Sequence, residues 1–183
     1  MKRALFFLFI SLQCIGCGSE GSNDIYKTSN GDYGSKKGNF IADFPTKPKL
    51  TTIDNQIGMD KFQIHLYRST LGGQKIFNVE YYDYPENLIN DISDEEFLVQ
   101  GVNNFSRKVA ESFDLEYQNP ITQHGLKGQA FQLELNKTAK AKGLDGFIMG
   151  RLFRKGNRVY TITYIGVDDK NIDSFIDSFK LIN

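Results

Sequence analysis

The hydrophobic pattern of this chain falls into distinct regimes. An unbroken apolar run, Ala4 to Ile10, follows Lys2 and Arg3. A polar, glycine-rich stretch comes next, residues 18–38, in which only Ile25, Tyr26 and Tyr33 could bury anything. From Asn39 on, apolar and polar positions alternate with the period of two expected of half-buried strands. Phe40 to Phe44 reads as a short strand closed by Pro45, and Lys49 to Ile57 as a threonine-rich one. In Lys61 to Arg68, Phe62, Ile64 and Leu66 point one way and Gln63, His65 and Tyr67 the other. Lys75 to Tyr84 places Phe77, Val79 and Tyr81 on one face. Turns at Gly58-Met59-Asp60 and Gly72-Gly73 make this part an antiparallel meander.

The period then lengthens. Leu98, Val102, Phe105 and Val109 recur at helical spacing, widened by Phe97 and Gly101, and predict the main helix over Ser93 to Ala110. Ser93 is its cap and Glu96 the partner of a capping box. Strands return at 113–118, 130–135, 145–154 and 158–166, with Pro120 interrupting and His124 to Gly128 as a loop. The last two form a hairpin around Lys155-Gly156-Asn157. Ile172, Phe175, Ile176 and Phe179 mark a short second helix. The pattern predicts an α+β fold: a mostly antiparallel sheet of about seven strands with two main helices packed on it.

The first apolar run is too short for a permanent bilayer span, which needs about 20 residues, and has the length of an export signal's apolar region. Cys14-Ile15-Gly16-Cys17 resembles a bacterial lipobox, in which a small residue precedes the lipid-modified cysteine. That resemblance assigns 1–16 to a lipoprotein signal peptide, Cys17 to lipid attachment, 17–38 to a flexible tether and 39–183 to the globular domain. Cys14 is the competing acceptor, and an ordinary signal peptide cut elsewhere is the alternative. Cys14 and Cys17 are the only cysteines, so no disulfide is expected in the body. The implied address is the bacterial cell envelope, with the domain outside the cytoplasm and membrane lipid as its first partner.

Composition narrows the rest. The 22 basic and 22 acidic side chains balance, which gives nucleic-acid binding no support. There is no HxH, HExxH or CxxC spacing for zinc, no GxSxG elbow and no phosphate loop, so no cofactor is assigned. His65 and His124 read as surface histidines. Asp91, Asp94, Glu95 and Glu96 read as helix-start acids, and Lys137, Lys140 and Lys142 as a solvated basic patch, with Arg151, Arg154, Lys155 and Arg158 further on. The best binding clue is Tyr67, Tyr82, Tyr84, Tyr160 and Tyr164, which line a ligand or protein surface if one sheet face stays uncovered.

Three segments together carry a further resemblance: Phe40-Ile41-Ala42-Asp43-Phe44-Pro45-Thr46-Lys47-Pro48, Tyr81-Tyr82-Asp83-Tyr84-Pro85, and Gly156-Asn157-Arg158-Val159-Tyr160 leading to Phe175-Ile176-Asp177-Ser178-Phe179-Lys180-Leu181. They resemble the PsbP-like and Mog1-like fold superfamily, and a group of bacterial exported domains within it, over about residues 39–182. The resemblance implies an α/β/α sandwich around an antiparallel sheet. PsbP is an extrinsic photosystem subunit and Mog1 a partner of the Ran GTPase; neither role has a motif to carry it onto these residues. The implied work is non-enzymatic binding or assembly, with an envelope protein as a second partner. An envelope enzyme or a purely structural lipoprotein are the rival readings.

Overall fold

The computed structural model describes residues 24–89 and 92–182. The signal peptide, Cys14, Cys17 and Asp91 lie outside the described residues.

Seven strands form the main sheet, all antiparallel, in the order β4-β5-β6-β10-β9-β8-β7. The meander is β4 (Lys49–Ile57), β5 (Asp60–Leu71) and β6 (Lys75–Asp83). Helix α1 (Asp94–Val109) then carries the chain to the far edge, where β7 (Phe113–Gln123) begins a second meander with β8 (Leu126–Leu135), β9 (Phe147–Lys155) and β10 (Arg158–Gly166). The short helix α2 (Lys137–Ala141) links β8 to β9. The two meanders join where β10 pairs with β6, Tyr160 opposite Tyr81 and Ile162 opposite Val79. A second, smaller sheet has the order β1-β2-β3-β11: Ile25–Lys27, Tyr33–Ser35, Phe40–Ala42 and Lys180–Leu181.

Both faces of the main sheet are covered. On one, α1 lies across β7, β8 and β9, burying Phe97, Leu98, Val102 and Phe105 against Phe131, Leu133, Ile148 and Leu152. Gly101 permits the close approach, since a Cβ there would meet Leu152 Cδ2 at 2.5 Å. The Ser93 hydroxyl accepts the Glu96 amide at 3.2 Å, so half of the expected box forms, while the Glu96 carboxylate accepts from Gln100 at 2.8 Å. On the other face, the small sheet and α3 (Ile172–Ser178) press Phe40, Phe44, Phe175 and Phe179 onto Tyr67, Phe77, Tyr81, Phe153, Tyr160 and Tyr164. The architecture is the α+β fold expected from the pattern, arranged as the sandwich that the resemblance implies, with α3 and the small sheet sharing the second covering layer.

Three expectations change, the simplest being the loop at His124 to Gly128, which shrinks to the turn His124-Gly125 because β8 already starts at Leu126. The stretch assigned to a tether is structured from Asp24 onward: β1 and β2 form a hairpin, with Ile25 opposite Ser35 and Lys27 opposite Tyr33. Its polar sequence hides this because pairing with β3 and hydrogen bonds to Tyr67 of β5 hold it, with Ile25 and Tyr33 its main apolar contacts with the core. Pro120 also does not end its strand; β7 runs through it, with Pro120 opposite Gln129 and a register shift between Leu115 and Tyr117. As an edge strand, β7 can carry a residue that donates no backbone hydrogen bond.

Candidate functional site

The five tyrosines do not form a surface. Tyr67, Tyr160 and Tyr164 lie beneath the small sheet and α3, Tyr82 and Tyr84 on the α1 side, and all are buried at 4 % exposure or less. Covering both faces turns the expected binding patch into core. The Tyr164 hydroxyl donates to the Val167 carbonyl, and Tyr84 meets Phe97 edge to face at a centroid distance of 5.6 Å.

The densest polar cluster lies where the described chain enters the domain. Asp24 is 6 % exposed. Its carboxylate accepts from the Ser35 hydroxyl at 2.6 Å, from the Tyr67 hydroxyl and from the Lys37 amide at 2.8 Å. Burial works to raise the Asp24 carboxyl, and the hydrogen bonds from Ser35, Tyr67 and Lys37 outweigh it, holding it below the usual carboxylate range. Burial and the bond to Asp24 together push the Tyr67 phenol far up, so it remains a donor. Ser35 also accepts the Gly38 amide at 2.6 Å. Next to this lock, Arg158 holds Asp83 through two bonds of 2.6 and 2.7 Å, donates to the Lys37 carbonyl at 2.9 Å and lies 4.9 Å over the Tyr81 ring. On the hairpin's other side, the Tyr26 ring occupies the space above Gly34, where a Cβ would sit 2.7 Å from it. The lock therefore fixes β1, β2 and the following turn to β5, β6 and β10.

A second polar group is buried in the sheet beside α1. Arg68 Nε donates to Asn78 Oδ1 at 3.0 Å, and Asn78 Nδ2 to Thr163 at 3.3 Å. One row along, Glu80 stands opposite Leu66 on β5 and Thr161 on β10. Glu80 is 4 % exposed, and Glu80 Oε1 and Thr161 Oγ1 are buried without a hydrogen-bond partner. Desolvation pushes the Glu80 carboxyl up to about 7, with Lys108 and Arg68 opposing it. A carboxyl poised near neutrality in a buried place is a functional-site signal of moderate specificity. Asn78, Glu80 and Tyr82 alternate with the apolar face of β6 and look solvent-facing in sequence. The signal that could have found them is the helix itself, because a layer of helix requires that face to be inward.

Other expected residues take structural roles. His65 stacks on Tyr81 at 4.6 Å and shares a hydrogen bond with Thr52 at 3.3 Å; burial lowers its pKa, with Asp24 pulling the other way. His124 bonds the Asp177 carbonyl at 3.2 Å. Three of the basic residues are ion-paired, Arg151 with Asp177, Arg154 with Asp94 and Arg158 with Asp83, so no continuous patch with Lys137, Lys140 and Lys142 results. Among the described residues, no group of three or more His, Cys, Asp or Glu side chains could hold a metal, and no helix is long and apolar enough to cross a membrane.

No family model matches the chain, and none of the curated proteins matches it in sequence. Its fold is similar to that of the cyanobacterial PsbP (CyanoP) of Synechocystis sp. PCC 6803, with a TM-score of 0.55 at 11 % identity over 92 % of this chain and 97 % of that one. A protein of unknown function from Pseudomonas aeruginosa, PA94, described as a putative regulator, gives a TM-score of 0.38 at 10 % identity over 63 % of this chain and 83 % of that one. The likeness to CyanoP shows a PsbP-like fold for the described domain.

Proposed function

We propose that this chain is a lipoprotein of a bacterial cell envelope, held on a membrane by lipid on Cys17, whose domain outside the cytoplasm works by binding or assembly and not by catalysis. The observation that carries this reading is the lock at Asp24. It fastens the amino-terminal end of the domain to the main sheet seven residues after Cys17, so a load on the anchor is transmitted into the core. Stable anchoring needs more than one acyl chain, and the diacylglycerol of a lipobox cysteine meets that need. The commitment of His65, Asp83 and Arg158 to packing and pairing supports a binding role, as does the fold's analogy with PsbP.

The rival reading, an envelope enzyme, has Glu80 in its favour. Mass spectrometry of the native amino terminus, membrane fractionation and crosslinking from intact membranes test the proposal. A lipidated Cys17, loss of membrane association in Cys17→Ala and recovery of one stoichiometric envelope partner support it. A native chain without lipid removes the anchor. A processed small-molecule substrate whose turnover Glu80→Gln abolishes replaces binding with catalysis.

A further inference from the structure

We infer that the β1–β2 hairpin and the turn after it, with Lys27, Lys36 and Lys37, form the face that this domain turns toward an anionic membrane surface. The inference rests on the Cys17 anchor and adds an orientation and a lipid class to it.

The geometry starts from the length of chain between anchor and lock. Seven residues reach at most about 25 Å when fully extended and average about 15 Å as a flexible coil. A body of this size is about 40 Å across. The attachment is therefore shorter than the domain is wide, and the region around Asp24 stays next to the headgroups. Had the whole of 18–38 been free, the body could have turned any side to the membrane; the Asp24–Ser35–Tyr67 lock removes that freedom.

The chemistry of the region fits what it would meet. Lys27, Lys36 and Lys37 are exposed. The Lys37 backbone is held at both ends, its amide by Asp24 and its carbonyl by Arg158, while its side chain remains outside. Of the nearby carboxylates, Asp24 is buried in the lock and Asp83 is neutralised by Arg158, leaving Asp32 and, in the attachment itself, Glu20 against three lysines. Tyr33 lies under the Lys27 ammonium at 5.5 Å and is half-buried, on the same side of the hairpin as Lys27. Tyrosine with lysine is the composition that settles at the headgroup level. Each lysine near an anionic surface contributes about fivefold in partitioning, so the three together act as a second signal beside the lipid.

The test uses the processed, lipidated protein in vesicles of phosphatidylcholine with about a third phosphatidylglycerol. Lipid occupies Cys17 and the body carries no other cysteine, so Lys36→Cys and Leu144→Cys each introduce a unique thiol for a fluorophore. Leu144 is exposed and precedes the β9 end remote from Arg158. Both proteins should float with the vesicles. The label at 36 should be quenched by a headgroup-attached quencher severalfold more than the label at 144. Lys27→Gln, Lys36→Gln and Lys37→Gln together should weaken the association of the unlipidated Cys17→Ser chain with these vesicles by ten- to a hundredfold and leave its thermal melting unchanged. Flotation with equal quenching at the two sites overturns the orientation while leaving the anchor standing. Failure to float overturns both. Crosslinks from position 36 to an acidic envelope protein in native membranes, without quenching, would make this a protein-docking face and refute the lipid assignment.

Discussion

Replacing Glu80 by Gln keeps the shape of the side chain and removes its ability to ionise. In the fold this carboxyl is buried and pushed up to about 7, from a reference of 4.5. Folding therefore favours the protonated form. The associated stability is fully present below about pH 4.5, declines as pH rises through 7 and is gone above it. A displacement of about 2.5 units corresponds to about 3 kcal/mol at most; water reaching the site or relaxation around Lys108 would lower it. Glu80→Gln should then leave stability nearly unchanged at pH 4.5 and raise it by about 2–3 kcal/mol at pH 8.5. Urea denaturation of both proteins across this range measures the difference. His65 titrates in both and its contribution cancels; Lys108, which burial lowers to about 8 and Glu80 holds up, does not cancel, so the comparison is read below pH 8 as well as above it. Parallel stability curves over the whole range would show that Glu80 is hydrated or paired in solution and would refute the reasoning. An unmet Glu80 Oε1 beside an unmet Thr161 hydroxyl also predicts that Thr161→Val costs little, under about 1 kcal/mol, because no hydrogen bond is lost.

Asp24→Ala should release the β1–β2 hairpin while the main sheet stays folded, visible as loss of amide-exchange protection confined to residues 25–38; global unfolding at about 2–4 kcal/mol or more would mean that the lock supports the whole core. Lowering the pH through the depressed Asp24 pKa should loosen the same hairpin, since that stabilisation is present above about pH 4 and lost below it. Gln123→Ala removes the donor to the Ile176, Asp177 and Phe179 carbonyls, and thermal melts should show a loss of about 2–3 kcal/mol. Tyr160→Ala should cost about 3–5 kcal/mol, as a core truncation does; a folded variant of unchanged stability that loses a partner would restore the tyrosine surface.

Much of the fold is readable from alternation and turns. The strand at Lys49–Ile57 and the Phe147–Lys155/Arg158–Gly166 hairpin appear where period two and glycine turns place them, and α1 begins at the residue after its Ser93 cap. What escaped the sequence are features stabilised by partners far along the chain. Asp24 and Ser35 are both tied to the hydroxyl of Tyr67, far along the chain, and a hydrophobicity pattern carries no trace of a polar side chain's distant acceptor. Pro120 is ambiguous in sequence for a related reason: whether a proline ends a strand depends on its place in the sheet, an edge here, which local sequence does not state. The tyrosines alternate correctly with their neighbours, but exposure depends on the covering layers, and the small sheet was hidden within the polar stretch.

The pairing of β3 with β11 has a consequence for how the domain matures. Phe40 stands opposite Leu181, near the two ends of the domain, and β6 finds its partner β10 only after the whole second meander. A chain that emerges amino end first can close the β4–β6 hairpins and set Asp24 against Tyr67 early. It cannot seal the layer around Phe40, Phe153 and Phe179 until its last residues are free. Such non-local closure is slow compared with local hairpins, so the layer over Phe40, Phe153 and Phe179 is the last part of the fold to close.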